Sequence, residues 1–186
     1  MTDPLVHAEH IFRAGLDRVD PLKMMERVLR LDGDTLRVTT ESQSFEYDLS
    51  RYRRILVLGA GKASARMALG LEKLLGERIA DGVVAVKEGH LELLDRIRLI
   101  EASHPVPDER SAAAAEAVLE LARAAEPGDL VFVLVSGGGS AILAAPWSEN
   151  GRSLTLEDKQ AVTRSDRKST RLNSSHLKLS RMPSSA

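Results

Sequence analysis

The chain has 186 residues, 43% hydrophobic and 28% charged, with 13 glycines, 7 prolines and a formal net charge of -1, ordinary proportions for a globular domain with one core of moderate size. Cysteine is absent, which excludes disulfides and thiolate metal sites and fits a reducing compartment. No apolar run is long enough to cross a bilayer, and the N-terminus, with Asp3 and Glu9, lacks a signal-peptide layout, so a cytoplasmic location is expected.

Apolar residues at Leu5, Ala8, Ile11, Phe12, Leu16 and Val19 recur with a helical period. Asp20-Pro21 then supplies an N-cap and a proline at the first helical position, predicting a second helix through about Leu29. Asp32-Gly33-Asp34 precedes the alternating Thr35–Thr39, the pattern of a small β-hairpin. From Arg54 the pattern changes to strand, helix, strand. Ile55–Leu58 reads as a buried strand, Gly59-Ala60-Gly61 as a tight turn, and Ala63–Leu75 as a helix ending near Gly76. Gly82–Val86 and Arg98–Ala102 are further strands. Asp108 is placed to cap an alanine-rich helix from Glu109 to about Ala124, which Pro127-Gly128 stops. Asp129–Val135 is the strongest strand pattern, read as central and fully buried, and Thr155 with Asp158 starts another helix. Apolar strands alternating with helices predict an α/β, Rossmann-like, mostly parallel sheet with helices on both faces. Two N-terminal helices and the hairpin precede it.

Three turns carry the chemistry. In the first, an apolar strand ends in Gly59-Ala60-Gly61 and a helix starts after Lys62, an arrangement suited to a phosphate or carboxylate at a helix N-terminus. It is not a Walker A loop, which needs glycine at Leu56 and Ser or Thr at Ala63. As a dinucleotide fingerprint it is imperfect. Ser64 stands at the third glycine position. The acidic residue expected about 20 positions on, at the end of the second strand, is missing, that strand, Gly82–Val86, running out into Lys87-Glu88. In the second turn, Ser103-His104-Pro105-Val106-Pro107-Asp108, two prolines stiffen a loop in which His104 can act as acid, base or anion donor, or simply as a structural histidine. Asp108 reads more simply as a cap than as a base. The third, Ser136-Gly137-Gly138-Gly139-Ser140, follows the strongest strand. Its glycines let successive N–H groups curl inward as an anion nest, with Ser136 and Ser140 adding hydroxyls. In a doubly wound sheet ligands sit outside the carboxyl ends of the strands, and both glycine loops leave such ends. His7, His10 and His90 have no metal-ligand spacing, and Trp147 reads as a packing residue.

Taken together, Gly59-Ala-Gly-Lys-Ala-Ser64, Ser103-His-Pro-Val-Pro-Asp108 and Val135-Ser-Gly-Gly-Gly-Ser-Ala141 resemble, in order and spacing, the glycerate 2-kinase family, whose members have often been labelled hydroxypyruvate reductases. The resemblance runs from about Leu5 to Arg164. It implies ATP-dependent phosphorylation of D-glycerate to 2-phosphoglycerate with Mg2+, and Lys62 as the active-site lysine. Substrate or phosphate would be held by Gly59, Gly61, Ser64, His104 and the loop Ser136, Gly137, Gly138, Gly139 and Ser140. No metal ligand is expected from this segment. The implied partners are glycerate and ATP, with neither nucleic acid nor membrane, and no motif specifies an oligomeric state. The rival readings are an NAD(P)-dependent hydroxypyruvate reductase and a non-catalytic sugar-phosphate-binding domain.

Residues 166–186 hold five of the 26 Lys and Arg but one of the 27 Asp and Glu, a formal +4 that leaves -5 for the rest. A basic tail can be a nucleic-acid or membrane arm. A more specific reading is available, because Asp166-Arg-Lys-Ser-Thr-Arg-Leu-Asn-Ser-Ser-His176 and Ser180-Arg-Met-Pro-Ser-Ser-Ala186 resemble the translation of a sequencing-library adapter. The expectation is a partial N-terminal domain over residues 1–164, a non-native, compositionally disordered tail over 165–186, and no C-terminal domain. Such a chain is expected to be inactive as a kinase alone.

Overall fold

A computed structural model describes residues 3–166. The adapter-like words therefore lie, apart from Asp166, outside the described residues. Helix α1 (Pro4–Val19) is capped by Asp3, and α2 (Pro21–Val28) by Asp20, whose carboxylate accepts from the Lys23 amide at 3.0 Å. Both have proline in the first turn, where its missing N–H costs nothing. The expected hairpin is larger than two strands. β1 (Leu29–Asp32), β2 (Thr35–Thr39) and β3 (Ser44–Asp48) form a three-stranded antiparallel sheet, with Leu36 fully buried.

The main sheet contains β4 (Ile55–Ala60), β5 (Ile79–Lys87), β6 (Arg98–Ala102) and β7 (Leu130–Val135), all parallel, in the order β6-β5-β4-β7. The chain moves outward from β4 through β5 to β6, then crosses back to place β7 on the other side of β4. The strand order thus reverses between β4 and β7. That is the point at which a doubly wound sheet opens a crevice at its carboxyl edge.

One face of the sheet, with Val57, Val84 and Val86, packs against Ala65, Ala68, Leu71 and Leu75 of α3 (Ser64–Leu75) and reaches Met25 of α2. The other face, with Leu58 and Val83, meets Val118 of α4 (Glu109–Arg123), while Ala60, Ala85 and Ala102 meet Ala114 and Ile142. Helices therefore cover both faces, as the apolar strands require. The expectation of a central, fully buried final strand is corrected. Among the described residues β7 is an edge strand, paired only to β4, and Val133 and Val135 are 63% and 67% exposed. Its apolar run is typical of a strand covered on both faces, but no described element covers the face carrying those valines. After β7 come a single helical turn, α5 (Gly139–Ile142), a two-residue pair of strands, β8 (Ser148–Glu149) and β9 (Arg152–Ser153), and a helix α6 over residues 156–166. Reciprocal bonds between Thr155 and Asp158 cap α6, and its Gln160 side chain donates to the Pro107 carbonyl at 2.9 Å. Trp147 is half-exposed beside it.

Candidate functional site

The two glycine loops leave β4 and β7 side by side, because Gly59 pairs with Leu134 and Ala60 with Val135. What separates the loops is how their backbone donors are used. In the first, the Gly61 amide donates to the Ala85 carbonyl at 3.1 Å and the Lys62 amide to the Gly137 carbonyl at 3.0 Å. The Ala63 amide donates to Ser136 Oγ at 3.0 Å, and the Ser64 amide to the Gly61 carbonyl at 3.3 Å. The four amides from Gly61 to Ser64 are therefore spent inside the protein. In the second loop, the amides of Gly137, Gly138, Gly139 and Ser140 donate no hydrogen bond among the described residues. Four successive N–H groups without an acceptor among the described residues are donors available to an anion.

Two side chains approach that loop. Gly138 has φ +89°, and a Cβ built there would fall 2.9 Å from Lys62 Cε and 3.0 Å from His104 Cδ2 and Nε2. A left-handed φ already disfavours any side chain, and here the space is taken by the lysine and the histidine. Lys62 is exposed and makes no ion pair or hydrogen bond through its ammonium among the described residues. His104 stands on the turn after β6, two strands from β4, and its peptide bond to Pro105 is cis. The triple-glycine loop, Lys62 and His104 are thus brought together by the fold.

The remaining predicted residues have other surroundings. Gly59 is a β4 residue that backs onto Leu134, and Gly61 sits where a Cβ would collide with the Ser136 hydroxyl. Ser64 is fully buried at the start of α3, with Oγ 3.3 Å from Ser136 Oγ and 3.5 Å from the Leu134 carbonyl. Gly59 and Gly61 therefore leave room for the interlock of the two loops, and the Ser64 hydroxyl is directed into it. Ser140 is exposed at the loop's end.

Asp108 is a helix cap, as its position suggests. Its carboxylate accepts from the Ser111 amide at 3.2 Å, and Ser111 Oγ accepts from the Asp108 amide at 3.1 Å, closing a capping box. Partial burial pushes its carboxyl up, but Arg110 and the Ser111 and Ser103 amides outweigh that and hold it below the usual range. Arg110 also reaches Glu88, at 3.1 Å, on the loop after β5. Among the described residues no three His, Asp or Glu side chains gather to hold a metal ion, and no helix is long and apolar enough to cross a membrane.

Residues 7–169 match the family described as domain of unknown function DUF4147. The chain belongs to this family. Among curated relatives of the DUF4147 chain is a putative hydroxypyruvate reductase of Agrobacterium vitis, 46% identical over 111 residues, covering 60% of this chain and 28% of that one. Another is the glycerate 2-kinase of Pyrococcus horikoshii, 34% identical over 149 residues, covering 80% of this chain and 31% of the relative. The crystal structure of glycerate kinase from Thermotoga maritima superposes with a TM-score of 0.62 at 30% identity, over 87% of this chain and 34% of that one. The DUF4147 chain spans under a third of the length of those two curated relatives. The family resemblance read from the three motifs and the α/β fold read from the alternation of strands and helices are both met by these matches.

Sequence reading did not find the division of labour between the loops. Both loops have the glycines that permit an anion nest, and which one keeps its donors free depends on strand pairing. The one signal available was the serine pair, Ser64 and Ser136, each placed where its hydroxyl can serve a loop instead of a ligand.

Proposed function

We propose that these residues form part of the active site of an ATP-dependent, cytoplasmic glycerate 2-kinase that converts D-glycerate to 2-phosphoglycerate. The observation that carries the reading is the approach of the Lys62 and His104 side chains to Gly138, within a run of four backbone amides that donate no hydrogen bond among the described residues. Phosphoryl transfer needs little covalent chemistry from the protein, and its catalysis is mostly positioning and charge neutralisation. Gly137, Gly138, Gly139 and Ser140 hold an anionic group through N–H donors, and the Ser140 hydroxyl stands at their edge. Lys62 neutralises charge developing on the transferred phosphoryl group or on the substrate carboxylate. His104 donates to the same anion. Gly59, Gly61, Ser64 and Ser136 keep the two loops in register.

The donor set fits a phosphoryl or carboxylate anion. It does not fit a metal ion, since the described residues bring no cluster of metal-ligating side chains together. In this reading Mg2+ arrives on the nucleotide phosphates, and no step is assigned to it here. The reductase alternative is disfavoured by the first loop. A pyrophosphate over α3 would need the amides of Gly61 to Ser64, all of which already have internal acceptors.

A chimera with residues 3–166 in place of the matching segment of the Pyrococcus horikoshii kinase tests the proposal. Glycerate-dependent ADP release with ATP and Mg2+ is expected, and it should fall at least a hundredfold in the Lys62→Ala chimera. Brisk NADH oxidation with hydroxypyruvate and no ATP would instead establish the reductase. Binding of phosphorylated sugars without ADP release would establish the binding domain.

A further inference from the structure

Ser136 follows β7 directly, and its surroundings point to a role other than ligand contact. Its Oγ accepts from the Ala63 amide at 3.0 Å and lies 3.3 Å from Ser64 Oγ, which in turn donates to the Leu134 carbonyl at 3.5 Å. The contacts form a relay from the Ala63 N–H to the Ser136 hydroxyl, on to the Ser64 hydroxyl and to the Leu134 carbonyl, in which either serine can donate to the other. This relay turns the Ser136 hydroxyl toward the Lys62 loop.

The backbone adds two further ties between the loops: the Lys62 amide donates to the Gly137 carbonyl at 3.0 Å, and the Ser136 amide to the Ala60 carbonyl at 3.1 Å. Gly61 admits the serine because any side chain there would occupy the place of its hydroxyl. Lys62 lies between Gly61, which leaves room for the Ser136 hydroxyl, and Ala63, whose amide donates to it.

We infer that Ser136 is a positioning residue, whose hydroxyl locks the Lys62 loop onto the triple-glycine loop so that ammonium and backbone donors face one anion. The inference rests on the anion site proposed above. A side chain held by its neighbours loses less freedom on binding, so the lock raises affinity without touching the ligand.

The test is a double-mutant cycle on the full 186-residue chain, with inorganic phosphate as the probe and binding read from the amide resonances of Gly137 to Ser140. Ser136→Ala and Lys62→Ala are each expected to weaken phosphate binding about tenfold, and the double variant to be little weaker than either. In Ser136→Ala, phosphate should still shift the loop amides while the Lys62 side-chain resonance no longer responds. Ser64→Ala breaks the relay away from the rim, so it should weaken binding in the same direction and add little to Ser136→Ala. It carries the test by itself if Ser136→Ala does not fold. Additive losses from Ser136→Ala and Lys62→Ala, or unchanged affinity in Ser136→Ala and Ser64→Ala, would overturn the positioning role while leaving the anion site standing. Failure of the unmodified chain to bind phosphate at all would overturn the anion site and, with it, this role.

Discussion

Lys62 and Gly138 depend on each other for different physical reasons. Lys62 has no ion pair among the described residues and is exposed, so its charge is available to a ligand and contributes little to folding. Lys62→Ala should therefore leave the melting temperature within about 1–2 °C of the parent, as expected for a surface substitution, while phosphate affinity drops about tenfold. Gly138 combines φ +89° with the close approach of Lys62 and His104. Gly138→Ala is expected to cost about 1–2 kcal/mol for the left-handed backbone alone and to abolish phosphate binding by displacing both side chains. The control is Gly137→Ala, where a Cβ would meet nothing within 4 Å and where little stability should be lost. Thermal unfolding and phosphate titration of the three variants separate these outcomes.

At the scale of elements, the start of β7 is tied to the start of β4 by charge. Asp129 has no exposed side-chain surface and receives Arg54 Nη2 at 2.7 Å and Arg53 Nε at 3.2 Å, and the Glu126 amide donates to it at 2.9 Å. These bonds, Arg54's first, hold its carboxyl well below the usual carboxylate range against the burial that opposes them. A depressed folded-state pKa means that the contribution is complete above the unfolded value, near pH 4, and is lost as the pH falls toward the lower folded value. Melting temperatures measured from pH 6 to pH 2 should therefore drop most steeply below about pH 4. Asp129→Asn should be less stable than the parent at pH 6, and the gap should narrow as the pH falls. A gap that stays constant over the range would show that Asp129 does not act through its charge. A second tie has the same logic without the pH signature: Glu72 of α3 accepts the amides of Asp95, Arg96 and Ile97 at 2.7–3.1 Å, fixing the approach to β6.

Across the whole molecule the described residues leave two apolar surfaces uncovered. One is the outer part of β7 with Val133 and Val135; the other is the stripe on α1, where Ile11, Phe12 and Val19 are 74%, 66% and 70% exposed. Contiguous apolar surface and an unpaired strand edge both favour association. The purified chain should therefore bind anilinonaphthalene sulfonate and aggregate as its concentration rises. Val133→Thr with Val135→Thr should reduce both the dye signal and the aggregation, with the melting temperature changed by only a few degrees, since both side chains are largely in solvent. A dye signal unaffected by the pair would place the apolar surface elsewhere, with α1 the next region to test.

Much of this molecule was legible in the order of its residues. Proline and aspartate at the helix starts, β-branched runs in the strands and glycine at the turns act over a few positions. Local sterics and local hydrogen bonds therefore mark α1 to α4 and the parallel strands to within a few residues. The two glycine turns could be named as anion sites for the same reason. Strand order, however, is a property of pairing between distant segments. Only the return of β7 to the side of β4 brings Ser136 within reach of Ala63 and takes up the amides of Lys62 and Ala63. Only the turn after β6 carries His104 across to Gly138. The sequence alone thus determined that glycine turns, a lysine and a histidine stood at strand ends; the tertiary structure decided that one turn holds the other in place while its own amides stay free, because a backbone donor can serve a ligand only where packing has not already supplied an acceptor.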